Sequence, residues 1–189
     1  MDNLIKLAEK IKDKDLREKT ISLLKDPKLS NPALACKPLK IEDTPGGFPG
    51  FEHHMEKGGL IKHTEGVTLL AMQMADFVEE RYGTVNKDFV ITAALLHDIM
   101  RLYDFDKIGD EYSLQDNLLE HEELGACELY ARGFPEEIVH MVLKHLKPEG
   151  QGLEGTILHY ADSVDSFSDF YFRELSGHEC GCECCHDED

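Results

Sequence analysis

The feature that most constrains this chain is an apolar run, residues 93–101, interrupted by a histidine and an aspartate side by side, His97 and Asp98. Adjacent residues on a helix point about 100° apart, so these two side chains can meet one ion only on a flank where both lean inward. Burying an ionisable pair among leucines costs desolvation free energy, which a bound ion would offset. The alternative is that His97 and Asp98 pair with each other or cap a nearby backbone group.

Four further polar residues lie in helical segments with similar apolar surroundings. They are His63, His121, His145 and Asp162, and together with the His97-Asp98 pair they place one polar position on each of five predicted helices. Imidazole and carboxylate ligands without cysteine suit manganese, iron, nickel, cobalt or zinc, and also magnesium as a harder ion. We therefore predict that these residues bind one or two divalent metal ions.

Apolar residues three and four positions apart recur along the chain and predict an all-α bundle of about six to eight helices with the metal site at its centre. The predicted helices cover residues 4–11, 16–24, 60–82, 86–103, 118–132, 134–145 and 153–175. The helix 86–103, capped by Asn86, is apolar on most of its circumference and is predicted to be the buried centre. Residues 104–116 are polar, and they lack the terminal glutamate of a calcium-binding EF-hand loop. We expect a single domain over residues 1–176, with a helical pair at 1–26 and a loop at 30–50.

The loop 30–50 is rich in proline and glycine and leads to His53 and His54, next to a glycine pair at 58–59. A loop of this length inside a compact domain is usually functional or mobile. We interpret His53, His54 and Lys57 as substrate-binding residues that meet a phosphate group. The alternative is a pair of exposed histidines on a surface loop.

The charge of the chain limits its partners. The 189 residues include 20 basic and 38 acidic ones, for a net charge of −18. Such a field repels polyanions, so we expect no long nucleic acid and instead a small phosphorylated substrate, which metal ions would hold directly. No signal peptide and no apolar run long enough to span a bilayer is recognisable, so we expect a cytoplasmic protein without membrane contact.

The tail, residues 177–189, has a composition unlike the rest of the chain. Four of the six cysteines lie there, at Cys180, Cys182, Cys184 and Cys185, among acidic residues and histidines. Thiolates this dense are candidate ligands of an accessory metal, although their spacing matches no standard zinc finger or ribbon. The alternatives are a solvated acidic tail or a contact in a homo-oligomer.

Taken together, these motifs resemble the HD-domain superfamily of metal-dependent phosphohydrolases, whose signature is His, then His-Asp, then Asp on a helical bundle. The likeness is greatest to the HD domain of 3′-to-5′ exoribonucleases and covers roughly residues 16–175. The matching segments are 16–24, 53–54, 58–64, 95–99 and 158–162. The family often has Gly-Lys after His-Asp-Ile, where this chain has Met100 and Arg101, so a cation is kept with a different geometry. The RNA-binding barrel of such exoribonucleases is not recognisable, so the resemblance does not extend to processive RNA degradation.

The resemblance implies roles for individual residues. A first ion would be held by His63, His97, Asp98 and Asp162, and Asp98 would bridge to a second ion held by His121 and His145. Arg101 and Lys144 would steady charge on the phosphate, and Asp165 would take a proton or orient water. The implied reaction is hydrolysis of a phosphomonoester or phosphodiester bond of a nucleotide or short oligonucleotide by metal-activated water. Two alternatives stay open at this point: an HD-like di-iron oxygenase, and a non-catalytic module that binds metal or a partner.

Overall fold

A computed structural model describes residues 1–31, 37–108 and 111–177 of the chain. Within these residues the protein consists of seven α-helices and one two-stranded antiparallel hairpin. The helices are α1 (Asp2–Ala8), α2 (Lys14–Lys25), α3 (Gly59–Arg81), α4 (Lys87–Leu96), α5 (His121–Ala131), α6 (Glu136–Lys144) and α7 (Leu153–Gly177), and the strands are β1 (Phe105–Ile108) and β2 (Glu111–Leu114). The prediction of an all-α helical bundle is confirmed.

The central helix is α4, as its sequence predicts. Every residue from Val90 to Leu96 is buried, and α1, α2, α3, α6 and α7 all pack against this helix. The Asn86 side chain caps α4 by accepting a hydrogen bond from the backbone N–H of Phe89. Burial on all sides from Val90 to Leu96 explains why the sequence of α4 is apolar around most of its circumference.

Two features of the fold differ from the sequence prediction, and both lie beside the His97-Asp98 pair. The helix predicted over 86–103 ends at Leu96, so the pair lies in the turn that follows, before a short 3₁₀ turn at Arg101–Tyr103. The segment 104–116, for which the sequence analysis gave only a polar composition and no strand, contains the β1–β2 hairpin. The first strand does alternate, with Phe105 fully buried and Asp106 exposed, but strands of four residues are too short for this alternation to be recognised among polar neighbours.

The longest helices, α3 and α7, frame the other side of the bundle. The helix α3 begins at Gly59 after Gly58, which adopts a left-handed conformation with φ +78°. Gly59 is also constrained by contact, because a Cβ there would lie 1.7 Å from the carbonyl oxygen of His54. The glycine pair thus starts the helix and lets the loop carrying His54 pack directly on its first turn.

No helix in the described part of the chain is both long and apolar enough to cross a membrane. The cysteines of the tail, Cys180, Cys182, Cys184 and Cys185, lie outside the described residues, and the accessory metal site stays a prediction.

Candidate metal centre

Four histidines from four parts of the bundle surround the carboxylate of Asp98. Their Nε2 atoms lie 3.6 Å (His63) and 3.7 Å (His97) from Asp98 Oδ2, and 3.2 Å (His121) and 3.4 Å (His145) from Asp98 Oδ1. Asp98 is 2% exposed, and all four histidines are buried. The two oxygens of one carboxylate therefore face two different pairs of imidazoles.

His97 and His145 are held at the C-terminal ends of two helices by the same type of hydrogen bond. Each histidine is the first residue after its helix, α4 or α6, and its Nδ1 donates a hydrogen bond to the carbonyl oxygen three residues earlier, at 2.8 Å to Ala94 and 2.7 Å to Val142. A neutral imidazole that donates from Nδ1 keeps a lone pair on Nε2. Both helix ends also carry partial negative charge, which favours a cation nearby.

Carboxylates fix the other two imidazoles. His63 Nδ1 lies 2.8 Å from Asp165 Oδ2, and His121 Nδ1 lies 2.8 Å from Asp104 Oδ2. A carboxylate that binds one nitrogen of a histidine orients the ring and makes the other nitrogen a better metal ligand. Asp104 is a positioning residue that the sequence analysis missed, because its segment was interpreted only as a polar connection.

Asp162, on α7, completes one side of the centre. Its Oδ1 lies 3.2 Å from His63 Nε2 and 3.9 Å from His97 Nε2. We call His63, His97, Asp162 and Asp98 Oδ2 the first cluster, and His121, His145 and Asp98 Oδ1 the second cluster. The structure thus brings all six sequence-predicted ligand residues into one buried centre, where His and Asp groups are spaced closely enough to hold a divalent metal ion.

The electrostatics of Asp98 keep it ionised. Burial disfavours its charged form, but Arg101, His97 and His121 outweigh burial and hold the pKa of Asp98 well below its usual range. Arg101 is the nearest cation, with Nε donating to Asp98 Oδ2 at 2.8 Å. Burial lowers the pKa of His97 to about 4, so that this imidazole is neutral at pH 7.

His63 and His121 behave differently from His97. For both, burial lowers the pKa, but the flanking carboxylates outweigh burial and raise the pKa to about 10 for His63 and about 9 for His121. Without a bound ion, protons on these rings supply the positive charge that the carboxylates require. Metal ions bind imidazole only without that proton, so ion binding would release it.

With neutral histidines, two buried atoms in the centre have no hydrogen-bond partner, Asp98 Oδ1 and His145 Nε2. A second proton on His121 provides a donor, Nε2 at 3.2 Å, for Asp98 Oδ1 but none for His145 Nε2. The lone pair of His145 Nε2 faces a carboxylate oxygen, which is also an acceptor, so no hydrogen bond can form between them without an added proton. Leaving buried polar atoms unsatisfied costs on the order of 1–3 kcal/mol each, more when charged. A divalent cation between the two acceptors removes that cost, and the nitrogen and oxygen donors present fit such an ion.

His53 and His54 are buried beside the first cluster, so the alternative of two exposed loop histidines is wrong. Their ring centroids lie 4.9 and 5.5 Å from that of His63. His54 has φ +46°, an uncommon conformation for a residue with a side chain, and its backbone N–H donates to Asp169 Oδ2 at 2.6 Å. Burial is the main cause that lowers the pKa of His53 to about 3. After Asp104, Asp169 is a second positioning residue that no sequence motif indicated.

The predicted cationic residues separate into two groups. Arg101 is buried at the second cluster, with its NH2 atom 3.2 Å from His121 Nε2. Lys57 is exposed and pairs with Asp43 at 3.4 Å, and Lys144 is exposed at the end of α6. The substrate-binding roles of Lys57 and Lys144 therefore stay predictions without a contact to either cluster.

A cavity of about 360 Å³ opens beside the second cluster. Arg101, Asp104 and His121 line its inner end. The rest of its wall combines apolar and polar side chains, namely Phe48, Leu114, Leu119 and Leu146 with Gln115, Asn117 and Glu120. Its volume lies at the lower end of the range for sites that bind small molecules.

Comparison with known proteins agrees with this arrangement. The HD domain family model matches residues 60–166, which include all six predicted ligand residues. The chain is 42% identical over 175 residues to a dihydroneopterin 2′,3′-cyclic phosphate phosphodiesterase of Methanocaldococcus jannaschii, covering 88% of this chain and 69% of that protein. It is 33% identical over 134 residues to the 3′-5′ exoribonuclease YhaM of Listeria innocua, covering 60% of this chain and only 40% of the exoribonuclease. No solved structure matches the chain significantly.

The family match covers more than half of the chain, and the match to the relative with 42% identity covers more than two thirds of both proteins. Both relatives are named as enzymes that cleave phosphodiester bonds, in agreement with the predicted phosphohydrolase. The chain therefore belongs to the HD domain family of metal-dependent phosphohydrolases.

Proposed function

We propose that this chain hydrolyses a phosphodiester bond in a small nucleotide-like molecule, and that its substrate class is a 2′,3′-cyclic phosphate attached to a heteroaromatic ring such as a pterin or a nucleobase. The observation that carries the proposal is the position of Asp98, whose two oxygens face two pairs of histidine Nε2 atoms at 3.2–3.7 Å. This arrangement suits two divalent ions that share one carboxylate.

The proposed ligands are those of the two clusters, and the ions that suit them are manganese, iron, nickel, cobalt or zinc, with magnesium as a harder alternative. When bound, such ions lower the pKa of a coordinated water and neutralise charge on phosphate oxygens. The Nδ1 hydrogen bonds of the four histidines hold the ligand atoms in place before an ion arrives. Preorganised ligands of this kind avoid an entropic cost on binding.

Arg101 is proposed to stabilise the charge on the phosphate. Its guanidinium is buried, remains charged because Asp98 and Asp104 outweigh burial and raise its pKa, and lines the cavity beside His121. A cation held in a buried site of low dielectric constant stabilises a nearby negative charge more strongly than a cation in water does. Asp165 accepts from His63 and is proposed to keep that ring oriented, and it is also the carboxylate available to take a proton.

The cavity beside the second cluster supports a ring-bearing substrate. Its leucines and Phe48 provide apolar contact for a flat ring, and Gln115, Asn117 and Glu120 provide polar groups for the edge of such a ring. A cyclic phosphodiester also suits a single pocket, because water adds to phosphorus, one P–O bond to the sugar-like chain breaks, and the freed oxygen takes a proton without leaving the molecule. The product is one phosphomonoester.

The charge of the chain argues against a long RNA as the substrate. A net charge of −18 repels a polyanion over the whole surface, whereas a cyclic phosphate carries a single negative charge. The likeness to the exoribonuclease extends over 40% of that protein, so its activity on RNA is not carried over to this chain.

The test is a substrate panel with metal-loaded protein. The panel contains the 2′,3′-cyclic phosphates of dihydroneopterin and of nucleosides, a linear dinucleotide, a nucleoside monophosphate and a short RNA. We expect metal-dependent conversion of the cyclic phosphates to monoesters, and a loss of at least about 1,000-fold in Asp98→Asn. Asp106→Asn is the matched control, because Asp106 is an exposed aspartate in β1.

Two results would overturn the proposal. Metal-loaded protein that leaves every phosphodiester intact excludes a phosphodiesterase of this class. Hydrolysis of the RNA or the monophosphate in preference to the cyclic phosphates excludes the proposed substrate.

A further inference from the structure

An apolar stripe runs along the outer face of α7, and the described part of the chain covers it only in part, with Phe51 packed against Phe167. Its six side chains are between 44% and 61% exposed, although each is large and apolar. They are Leu153, Tyr160, Val164, Phe167, Tyr171 and Leu175. At 100° per residue these positions fall within about 80° of one another around the helix, along roughly 33 Å of its length. We call these six residues the α7 stripe.

The middle of the α7 stripe has no exposed charge beside it. Between Gly155 and Phe172 the exposed residues of α7 are the stripe itself, Ser168 and Phe172. The aspartates of the same segment point the other way, towards the histidines of the metal centre and their neighbours. Charge is exposed only at the C-terminal end, at Glu174 beside Leu175. In a chain in which 31% of residues are charged, an exposed face with aromatic rings and charge only at its rim has the composition of a protein interface.

The order of residues along the stripe is nearly the same in both directions. Tyr160 and Tyr171 are placed symmetrically about a midpoint between residues 165 and 166, and Val164 and Phe167 share this midpoint. Leu153 and Leu175 lie at the two ends of the stripe, and their midpoint is about one and a half residues from the midpoint of the other pairs. Two antiparallel copies of α7 related by a two-fold axis at this midpoint would place Tyr160 of one copy opposite Tyr171 of the other and Val164 opposite Phe167, so that apolar side chains meet along the stripe.

The area of the stripe is that of a stable dimer interface. An aromatic side chain contributes about 150–250 Å², so the exposed fractions correspond to roughly 600 Å² for the six residues. Including Phe172 and Ser168 brings the area to about 800 Å² per copy, which is the usual contribution of one partner. A much smaller ligand would leave most of the stripe exposed.

From these observations we propose that the chain forms a homodimer through antiparallel pairing of its α7 stripes about a two-fold axis near Val164 and Phe167. Apolar contact drives the association, and the uncharged middle of the face lets two chains of net charge −18 approach there. Long-range repulsion between the copies weakens the dimer at low salt, and screening relieves that repulsion. The dimer therefore tightens as salt is raised.

The test is sedimentation equilibrium of the full chain. We expect a species of twice the 21.4 kDa chain mass at about 100 µM protein, with a dissociation constant that falls between roughly 0.05 and 0.5 M salt. Val164→Glu should weaken dimerisation at least about 100-fold, because the two copies would bury two carboxylates near the axis. Val164 is chosen because Phe167 also packs against Phe51, at 5.0 Å between ring centroids.

The matched control is Phe77→Glu, which adds the same charge at an exposed aromatic position of α3 and should leave the dimer unchanged. Tyr160→Glu provides a second variant on the stripe if Val164→Glu does not fold, as judged by circular dichroism. A wild-type chain that is monomeric at about 100 µM overturns the proposal. In that case a different protein, or another part of this chain, covers the stripe. Folded stripe variants that dimerise like the wild type, or a dimer that weakens with salt, also overturn the proposal.

Discussion

The carboxylate of Asp104 provides the sharpest test of two separate clusters. Asp104 contacts only the second cluster among the proposed ligands, by accepting from His121 Nδ1 at 2.8 Å, whereas Asp165 holds His63 in the first cluster. Replacing Asp104 with alanine leaves His121 free to rotate and to change its tautomer. We therefore expect Asp104→Ala to weaken binding of one ion and spare the other.

The magnitude follows from the strength of the lost hydrogen bond. A bond to a charged group contributes about 1.5–3 kcal/mol, and the Asp104 side chain is only 15% exposed, so little of this is lost to solvent. That range corresponds to a factor of roughly 10–100 in metal affinity, which is the usual effect of removing a group that orients a ligand. Asp104→Asn keeps an oxygen acceptor but loses the charge, and should fall near the lower end of the range.

The assay is competition with a chromophoric chelator, which gives the number of ions and the affinity of each. Asp104→Ala should lower one of two affinities, and Asp165→Ala should lower the other. Asp106→Ala removes the same charge two residues away from an exposed position and should change neither. The reasoning is refuted if Asp104→Ala binds both ions as the wild type does, or loses affinity equally at both.

Three further predictions concern stability. Glu128 accepts from the backbone N–H and hydroxyl of Ser30, each at 2.7 Å, so Glu128→Gln should cost about 1–3 kcal/mol in urea unfolding at pH 7. Burial raises the pKa of Glu128, but these hydrogen bonds outweigh burial and lower it. The extra stability of the wild type over Glu128→Gln should therefore be complete above the unfolded pKa near ~4.3 and should disappear as pH falls below the folded pKa. Extra stability that persists below the folded pKa contradicts this role of Glu128. Gly59→Ala would place a methyl group 1.7 Å from the His54 carbonyl and should lower the melting temperature sharply, whereas Gly152→Ala, with its nearest atom at 4.0 Å, should not. Protein treated with a chelator should melt roughly 8–16 °C below protein that holds metal at ~1,000 times the dissociation constant. Equal melting temperatures would exclude metal binding to the folded state.

The parts of the site that could be predicted from sequence are those that depend on residue type and helical spacing. An ionisable His-Asp pair in an apolar run is costly without an ion, and this alone directed attention to His97 and Asp98. The sequence could not show that α4 ends before the pair, because Ile99, Met100, Leu102 and Tyr103 continue an apolar pattern that a longer helix would share. The position of Asp104 depends on that ending, since the turn after Leu96 is what brings Asp104 back to His121. Long-range placement of this kind is decided by packing and leaves no local pattern.

The charges fixed around the centre bear on how many ions it holds. Five carboxylates lie in or against the clusters, those of Asp98, Asp104, Asp162, Asp165 and Glu122, and Arg101 is the buried cation among them. Four negative charges therefore remain uncompensated when the histidines are neutral. A single divalent ion would leave a net charge of about −2, or about −1 when the histidine of the empty cluster keeps its proton. Either charge would repel an anionic phosphate in a region of low dielectric constant. Two divalent ions would neutralise the centre and allow an anionic substrate to approach, so from the charge balance we expect both clusters to be occupied during turnover.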